Sequence, residues 1–88
     1  MTMADARARY ERKGGKFFDR DTMRFWSSRI ESGLYKNRCF ITSEKNFDGT
    51  KRFYTVRQFN EDYSHIFTIG DFNTIKSKAV AQSIAKEV

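Results

Sequence analysis

Eighty-eight residues, 39% of them hydrophobic and including nine Phe, four Tyr and one Trp, can build one domain around one modest, largely aromatic core. Seventeen Lys/Arg against eleven Asp/Glu give a net charge of +6, which suits an anionic partner. One His and one Cys are too few for a zinc site, a histidine-based triad or an internal disulfide. No apolar run approaches the roughly 18–20 residues needed to cross a bilayer, and Met1–Arg7 has no apolar stretch behind its charges, so it does not read as a secretory signal. The expectation is a small cytoplasmic binding domain with no membrane contact, no metal, no cofactor and no catalytic residues.

Residues 1–16 hold five Arg/Lys and two acids, half of the net charge. Met3–Lys13 favours helix by propensity but carries almost no apolar face, and Gly14-Gly15 closes it. This segment reads as a basic N-terminal arm, frayed or helical, either solvated or touching phosphate or an acidic partner. Residues 17–88 then form the single domain.

Asp19 or Asp21 can cap the next segment, where Met23, Trp26, Ile30 and Leu34 fall at i, i+3, i+7 and i+11 on one helical face. Gly33 is a left-handed stop. The spacing predicts a helix lying across a sheet, with Trp26 as its largest core side chain and Phe25 on the shoulder beside Arg29. Three β-favouring runs follow: Arg38–Glu44, Arg52–Phe59 and His65–Gly70. The loop 45–50 between the first two contains Asp48-Gly49, a pair suited to a turn with positive φ, and Asn60–Ser64 makes the second turn. Arg52–Phe59 is the middle strand, with Tyr54 and Val56 on one face and Phe53, Thr55, Arg57 and Phe59 on the other. If helices cover Tyr54 and Val56, the opposite face leaves Phe53 and Phe59 beside Arg57 as a contact surface. Ser77–Val88 reads as an amphipathic helix through Val80, Ile84 and Val88, with Ala81 and Ala85 beside them and Ser77 or Thr74 as cap. The fold expected is α+β, a three-stranded antiparallel meander flanked by two helices in the order α-β-β-β-α. Its two open edges allow a monomer or an edge-paired homodimer.

Little in the chain speaks for enzyme chemistry. His65 opens a strand with no partner nucleophile placed by spacing, and Cys39 sits in a strand as a small apolar residue. Gly14-Gly15 lacks the residues of a phosphate loop. Glu44, Asp48, Glu61, Asp62 and Asp71 are assigned to solvated turns. Basic residues interleave with aromatics in the first hairpin: Lys36, Arg38, Lys45, Lys51, Arg52 and Arg57 among Tyr35, Phe53 and Tyr54. That mixture can neutralise phosphates and stack bases. The element order is also similar to that of a double-stranded-RNA-binding domain, and Lys76-Ser77-Lys78-Ala79 resembles that family's lysine cluster. The turn Asn46–Lys51 lacks the Gly-Pro-x-His loop of such domains. On this alternative, Lys36, Arg38, Lys76 and Lys78 contact RNA or DNA.

A closer resemblance lies in Asp21-Thr22-Met23-Arg24-Phe25, Ser28-Arg29-Ile30, Phe40-Ile41-Thr42-Ser43-Glu44 and Arg52-Phe53-Tyr54-Thr55-Val56-Arg57. Over about residues 17–59 these runs resemble a family of small accessory proteins carried by bacteriophages and mobile elements. Trp26 and Cys39 stand where that pattern has Phe and an aromatic or small residue. The resemblance implies a stoichiometric, anti-CRISPR-like inhibitor in a host bacterial cytoplasm, acting by occupying a host defence protein or ribonucleoprotein such as a CRISPR effector. Mimicry of DNA does not suit a basic chain, so the implied target is an acidic or apolar protein surface or the guide RNA. The residues expected to carry binding are Arg24, Arg29, Lys51, Arg52 and Arg57.

Overall fold

The computed structural model describes residues 1–46 and 48–88; Phe47, in the expected 45–50 loop, lies outside the described residues. The chain is α+β: α1 (Met3–Arg12), α2 (Arg20–Phe25), β1 (Arg29–Ile30), β2 (Cys39–Lys45), β3 (Arg52–Phe59), β4 (Ile66–Ile69) and α3 (Lys78–Glu87). The strands form one antiparallel sheet in the order β1-β2-β3-β4. The middle strand matches its expected span residue for residue, and Gly49, at φ +74, makes the positive-φ turn of the β2–β3 hairpin. Four strands and three helices replace the expected three and two, so the α-β-β-β-α order shared with double-stranded-RNA-binding domains is not the observed one.

Cross-strand partners share a face, and the register Phe40↔Arg57, Thr42↔Thr55, Glu44↔Phe53 therefore divides the sheet cleanly. One face carries Phe40 and Phe59, which pack with Ala6, Tyr10 and Phe18. The other carries Cys39, Ile41 and Val56, which pack with Ala81 and Ala85 of α3. Both faces are covered. Phe59 is fully buried, so the exposed Phe53–Phe59 surface anticipated from the sequence does not form.

The N-terminal segment is a packed helix rather than a solvated arm. Thr2 and Asp5 make a capping box, the Asp5 amide donating to Thr2 Oγ1 at 3.2 Å and the Thr2 amide to Asp5 Oδ2 at 3.0 Å. That backbone bond, reinforced by the hydroxyl, holds the Asp5 carboxyl below its usual range. At the other end Gly14 has φ +88, its amide donates to the Glu11 carbonyl and that of Gly15 to the Tyr10 carbonyl, which is a Schellman stop. Gly15 lies against the Tyr10 ring so closely that a Cβ would fall 2.3 Å from it. The helix thereby delivers Ala6 and Tyr10 to the core, Tyr10 meeting Phe18 and Phe59 edge-on at centroid distances of 5.7 and 5.9 Å.

The second helix is a single short element that stops at Phe25. Ser27 at φ +52 turns the chain, and Arg29 and Ile30 enter the sheet opposite Ser43 and Thr42. Trp26 and Ile30 are four apart, a spacing that shares a face in a strand as well as in a helix, so a helical reading of Ile30 and Leu34 was available but not unique. In α3 the buried stripe is Ala81 and Ala85, while Val80 and Val88 are exposed. The small side chains let the helix approach the sheet closely, and the larger ones flank that contact.

Replacing Tyr10 by Ala removes a buried ring from the aromatic face. We expect a loss of about 3–5 kcal/mol in urea unfolding; an unchanged midpoint would mean that α1 does not pack.

Candidate partner-binding surface

On the α1 face of the sheet, below the aromatic core, lies a polar ladder: Thr42 and Glu44 on β2, Thr55 and Arg57 on β3, Thr68 on β4. Glu44 is fully buried, in contrast to the solvated turn expected for it, and its Oε2 pairs with Arg57 Nη2 at 3.3 Å. Glu44 Oε1 accepts from Thr55 Oγ1 at 2.8 Å, and Thr55 Oγ1 accepts in turn from the Asn73 amide at 2.8 Å. Arg57 also donates through Nε to Thr42 Oγ1 at 3.2 Å and through Nη1 to Thr68 Oγ1 at 2.9 Å. Its guanidinium lies over the rings of both Phe17 and Phe72, at 5.0 and 5.3 Å from their centroids. Burial pushes the Arg57 pKa down while Glu44 pushes it back up. Arg57 is therefore an internal tie and not the free cation that its position beside Phe53 and Phe59 suggested.

From this tie an aromatic series runs outward. Phe72 covers the guanidinium, Trp26 lies 6.0 Å from Phe72, and Phe25 lies 5.1 Å from Trp26. Arg57 is 9% exposed, Phe72 40% and Phe25 77%, with Trp26 partly buried between the two phenylalanines. Trp26 is thus not the centre of the core but the half-buried middle of a shelf. The Lys45 amide donates to the Trp26 carbonyl at 2.9 Å, which fixes the shelf to the end of β2.

Around the shelf the basic residues fall into two kinds. Arg20, Arg24 and Arg29 line a shallow groove with Met23, Ser27 and Ser28. All three arginines are exposed, and among the described residues the ion pairs are Arg7–Glu11 and Glu44–Arg57, so none of the three has an acidic partner there. Arg52 is a brace: Nη1 donates to the carbonyl and hydroxyl of Ser43 at 2.9 and 2.8 Å, and Nη2 to the Ser27 carbonyl at 2.8 Å. It holds the positive-φ turn after α2 against the sheet. Lys51 is exposed at the hairpin, whose Lys45, Asn46, Asp48 and Gly49 share a second shallow cavity with Phe25 and Trp26. Of the five residues expected to bind a partner, Arg24 and Arg29 are brought together, Lys51 stands exposed on the hairpin, and Arg52 and Arg57 are engaged within the fold.

The alternative basic set does not converge. Lys76 and Lys78 are exposed where α3 starts, whereas Lys36 lines a cavity with Lys86 and Val88 at its other end, about 15 Å away along a ten-residue helix. Arg38 has φ +70 and donates Nε to the Phe59 carbonyl at 3.1 Å.

At the β3–β4 turn, Ser64 Oγ meets His65 Nδ1 at 2.9 Å and Asp62 Oδ1 at 2.5 Å. The carboxylate thus contacts the serine and not the imidazole, whose Nδ1 instead meets Ser64 Oγ and, at 3.4 Å, Asn60 Nδ2, which is not a triad's arrangement. No group of three or more His, Cys, Asp and Glu among the described residues is placed to hold a metal, and no helix there is long and apolar enough to cross a membrane.

One family model matches residues 2–86, from the α1 cap to the last turn of α3. The chain belongs to DUF7447, a family of unknown function. No curated protein and no solved structure matches it. Within this DUF7447 chain, the runs Asp21–Phe25, Ser28–Ile30, Phe40–Glu44 and Arg52–Arg57 map onto α2, β1, β2 and β3. They supply Phe25 of the shelf, Arg24 and Arg29 of the groove, and Thr42, Glu44, Thr55 and Arg57 of the buried ladder. Sequence reasoning missed Phe72 and the ladder. Its signal was the two period-2 pairs Thr42/Glu44 and Thr55/Arg57, each placing a hydroxyl and a charge on one face.

Truncating Glu44 to Ala strands a buried guanidinium and should cost about 3–5 kcal/mol in urea unfolding. Adding Arg57→Met should restore most of that loss. Simple additivity of the two, within about 0.5 kcal/mol, would show that the pair is not coupled.

Proposed function

We propose that this protein is a non-catalytic binding protein that engages a protein or ribonucleoprotein surface through the Phe25–Trp26–Phe72 shelf and the arginine groove beside it. The observation that carries this reading is the 77% exposure of Phe25, an aromatic side chain that packs on Trp26 instead of being folded inward. Trp and Arg are among the side chains most enriched at interface hot spots, and Phe is enriched at interfaces generally. Packing of Trp26 between Phe25 and Phe72 lowers the ordering cost of association at the shelf. Arg24 and Arg29 would meet carboxylates or phosphates of the partner, and Lys51 would extend the contact along the hairpin.

The resemblance of four residue runs to mobile-element accessory proteins supports seeking the partner among host defence complexes, a CRISPR effector first. Inhibition by occupancy requires one surface and one stoichiometric partner, which a chain of this size can provide. The basic charge favours an acidic protein surface or exposed guide RNA. Direct binding of nucleic acid through Lys36, Arg38, Lys76 and Lys78 is the weaker reading, because those residues are spread over both ends of α3.

The test is a pull-down from a defence-competent bacterial lysate, with and without nuclease, using the natural chain and Phe25→Ala. A partner that survives nuclease and binds Phe25→Ala about 30-fold more weakly, a loss of roughly 2 kcal/mol, supports the reading. Equal recovery by both chains would overturn the shelf as the contact. Recovery of nucleic acid alone, lost steeply as salt rises, would replace it with the nucleic-acid reading.

A further inference from the structure

We propose that the outer edge of β4 is a self-association site, at which a second copy of this chain adds its own β4 antiparallel and extends the sheet to eight strands. The site is separate from the α2 surface and independent of the reading above. Strand order leaves β4 at the edge of the sheet away from β1.

The direction of the free backbone groups follows from bonds elsewhere on β3. The Tyr54 amide and carbonyl bond to Ile75, and the Asn60 amide bonds to the His65 carbonyl, so even-numbered residues of β3 turn their backbone groups toward β4. The Phe59 amide bonds to the Arg38 carbonyl, on the β2 side. The pairs Gln58↔Phe67 and Val56↔Ile69 are therefore the hydrogen-bonded ones, since in an antiparallel ladder such pairs alternate with non-bonded ones. Ile66 and Thr68 are left with their N–H and C=O groups along the outer edge.

Its shortness, four residues, is the one guard that edge has. Ile66-Phe67-Thr68-Ile69 contains no Lys, no Pro and no inward charge. Phe67 stands 54% exposed on it, on the α3 face with Gln58. A two-fold axis perpendicular to the sheet keeps the faces of the two copies continuous, so paired positions must share a face. Centring the axis on Phe67 pairs Ile66 with Thr68 of the second copy, and both outward sets of backbone groups are satisfied. Phe67 then faces its own equivalent as a non-hydrogen-bonded pair, the geometry in which side chains approach most closely. Centring on Thr68 instead would pair Ile66 with Gly70, which at φ +76 has already left the strand. A four-residue edge offers a small contact, so the dimer should be weak and concentration-dependent.

Sedimentation equilibrium should show the 10.4 kDa chain rising toward twice that mass between about 10 μM and about 1 mM, the range in which weak complexes form. Phe67→Lys should stay monomeric throughout. Independently, Phe67→Cys should oxidise to a covalent dimer under mild oxidant, since facing Cβ atoms of such a pair lie near disulfide reach. Ser83→Cys, exposed on α3, should not, and Cys39 is fully buried and does not compete. A constant monomer mass for the natural chain, or equal cross-linking of the two cysteine variants, would overturn the proposal, and the cysteine comparison decides it even if Phe67→Lys fails to fold.

Discussion

The buried pair of Glu44 and Arg57, at 3.3 Å, sets the terms for the rest of the structure. Two charges taken out of water are tolerated only if their remaining donors and acceptors are met, and here three threonines from three strands meet them. The pair thus links β2, β3 and β4 in one register. A slip of one residue would carry Arg57 to the α3 face, among Ile41, Val56 and Ala85, away from Glu44 and the threonines that accept from it. An apolar ladder of the same shape could match the stability but would not penalise that slip so heavily.

The same pair accounts for the covering elements. A guanidinium is attracted to aromatic faces, and both Phe17 and Phe72 bring a ring to Arg57. Phe72 is thereby held where it can support Trp26, and Trp26 supports Phe25. The exposed shelf is the outer end of an interaction series that begins in the interior, which gives a surface aromatic residue a fixed place. Arg52 contributes from the other side, holding the Ser27 turn that lets the chain leave α2 and enter β1.

Much of the sheet was legible because β3 is rich in aromatic and β-branched residues, and because Asp48-Gly49 marks the hairpin. The N-terminal helix was legible too, though by signals other than a broad apolar stripe. Thr2-x-x-Asp5 is a capping box, Gly14-Gly15 a Schellman stop, and Met3, Ala6 and Tyr10 fall at i, i+3 and i+7. A narrow face of one alanine and one tyrosine suffices when the partner is an aromatic cluster. The α2–β1 region was ambiguous in principle, since Trp26 and Ile30 share a face under either period. Nothing local announces that Ser27 adopts positive φ; Arg52, twenty-five positions away, supplies the bond that stabilises the turn.

The sequence by itself determined the class of the protein: one small basic α+β unit with a central strand at 52–59 and few groups for chemistry. Those features depend on composition, local propensity and turn residues, each of which acts over a few neighbours. Only the tertiary structure decided which cations are free. Arg24, Arg29, Arg52 and Arg57 are alike as letters, yet two line an open groove, one braces a turn and one is buried against Glu44. That difference is set by cross-strand register and by the loops that close over each face, contacts between residues far apart in the chain that no local pattern encodes.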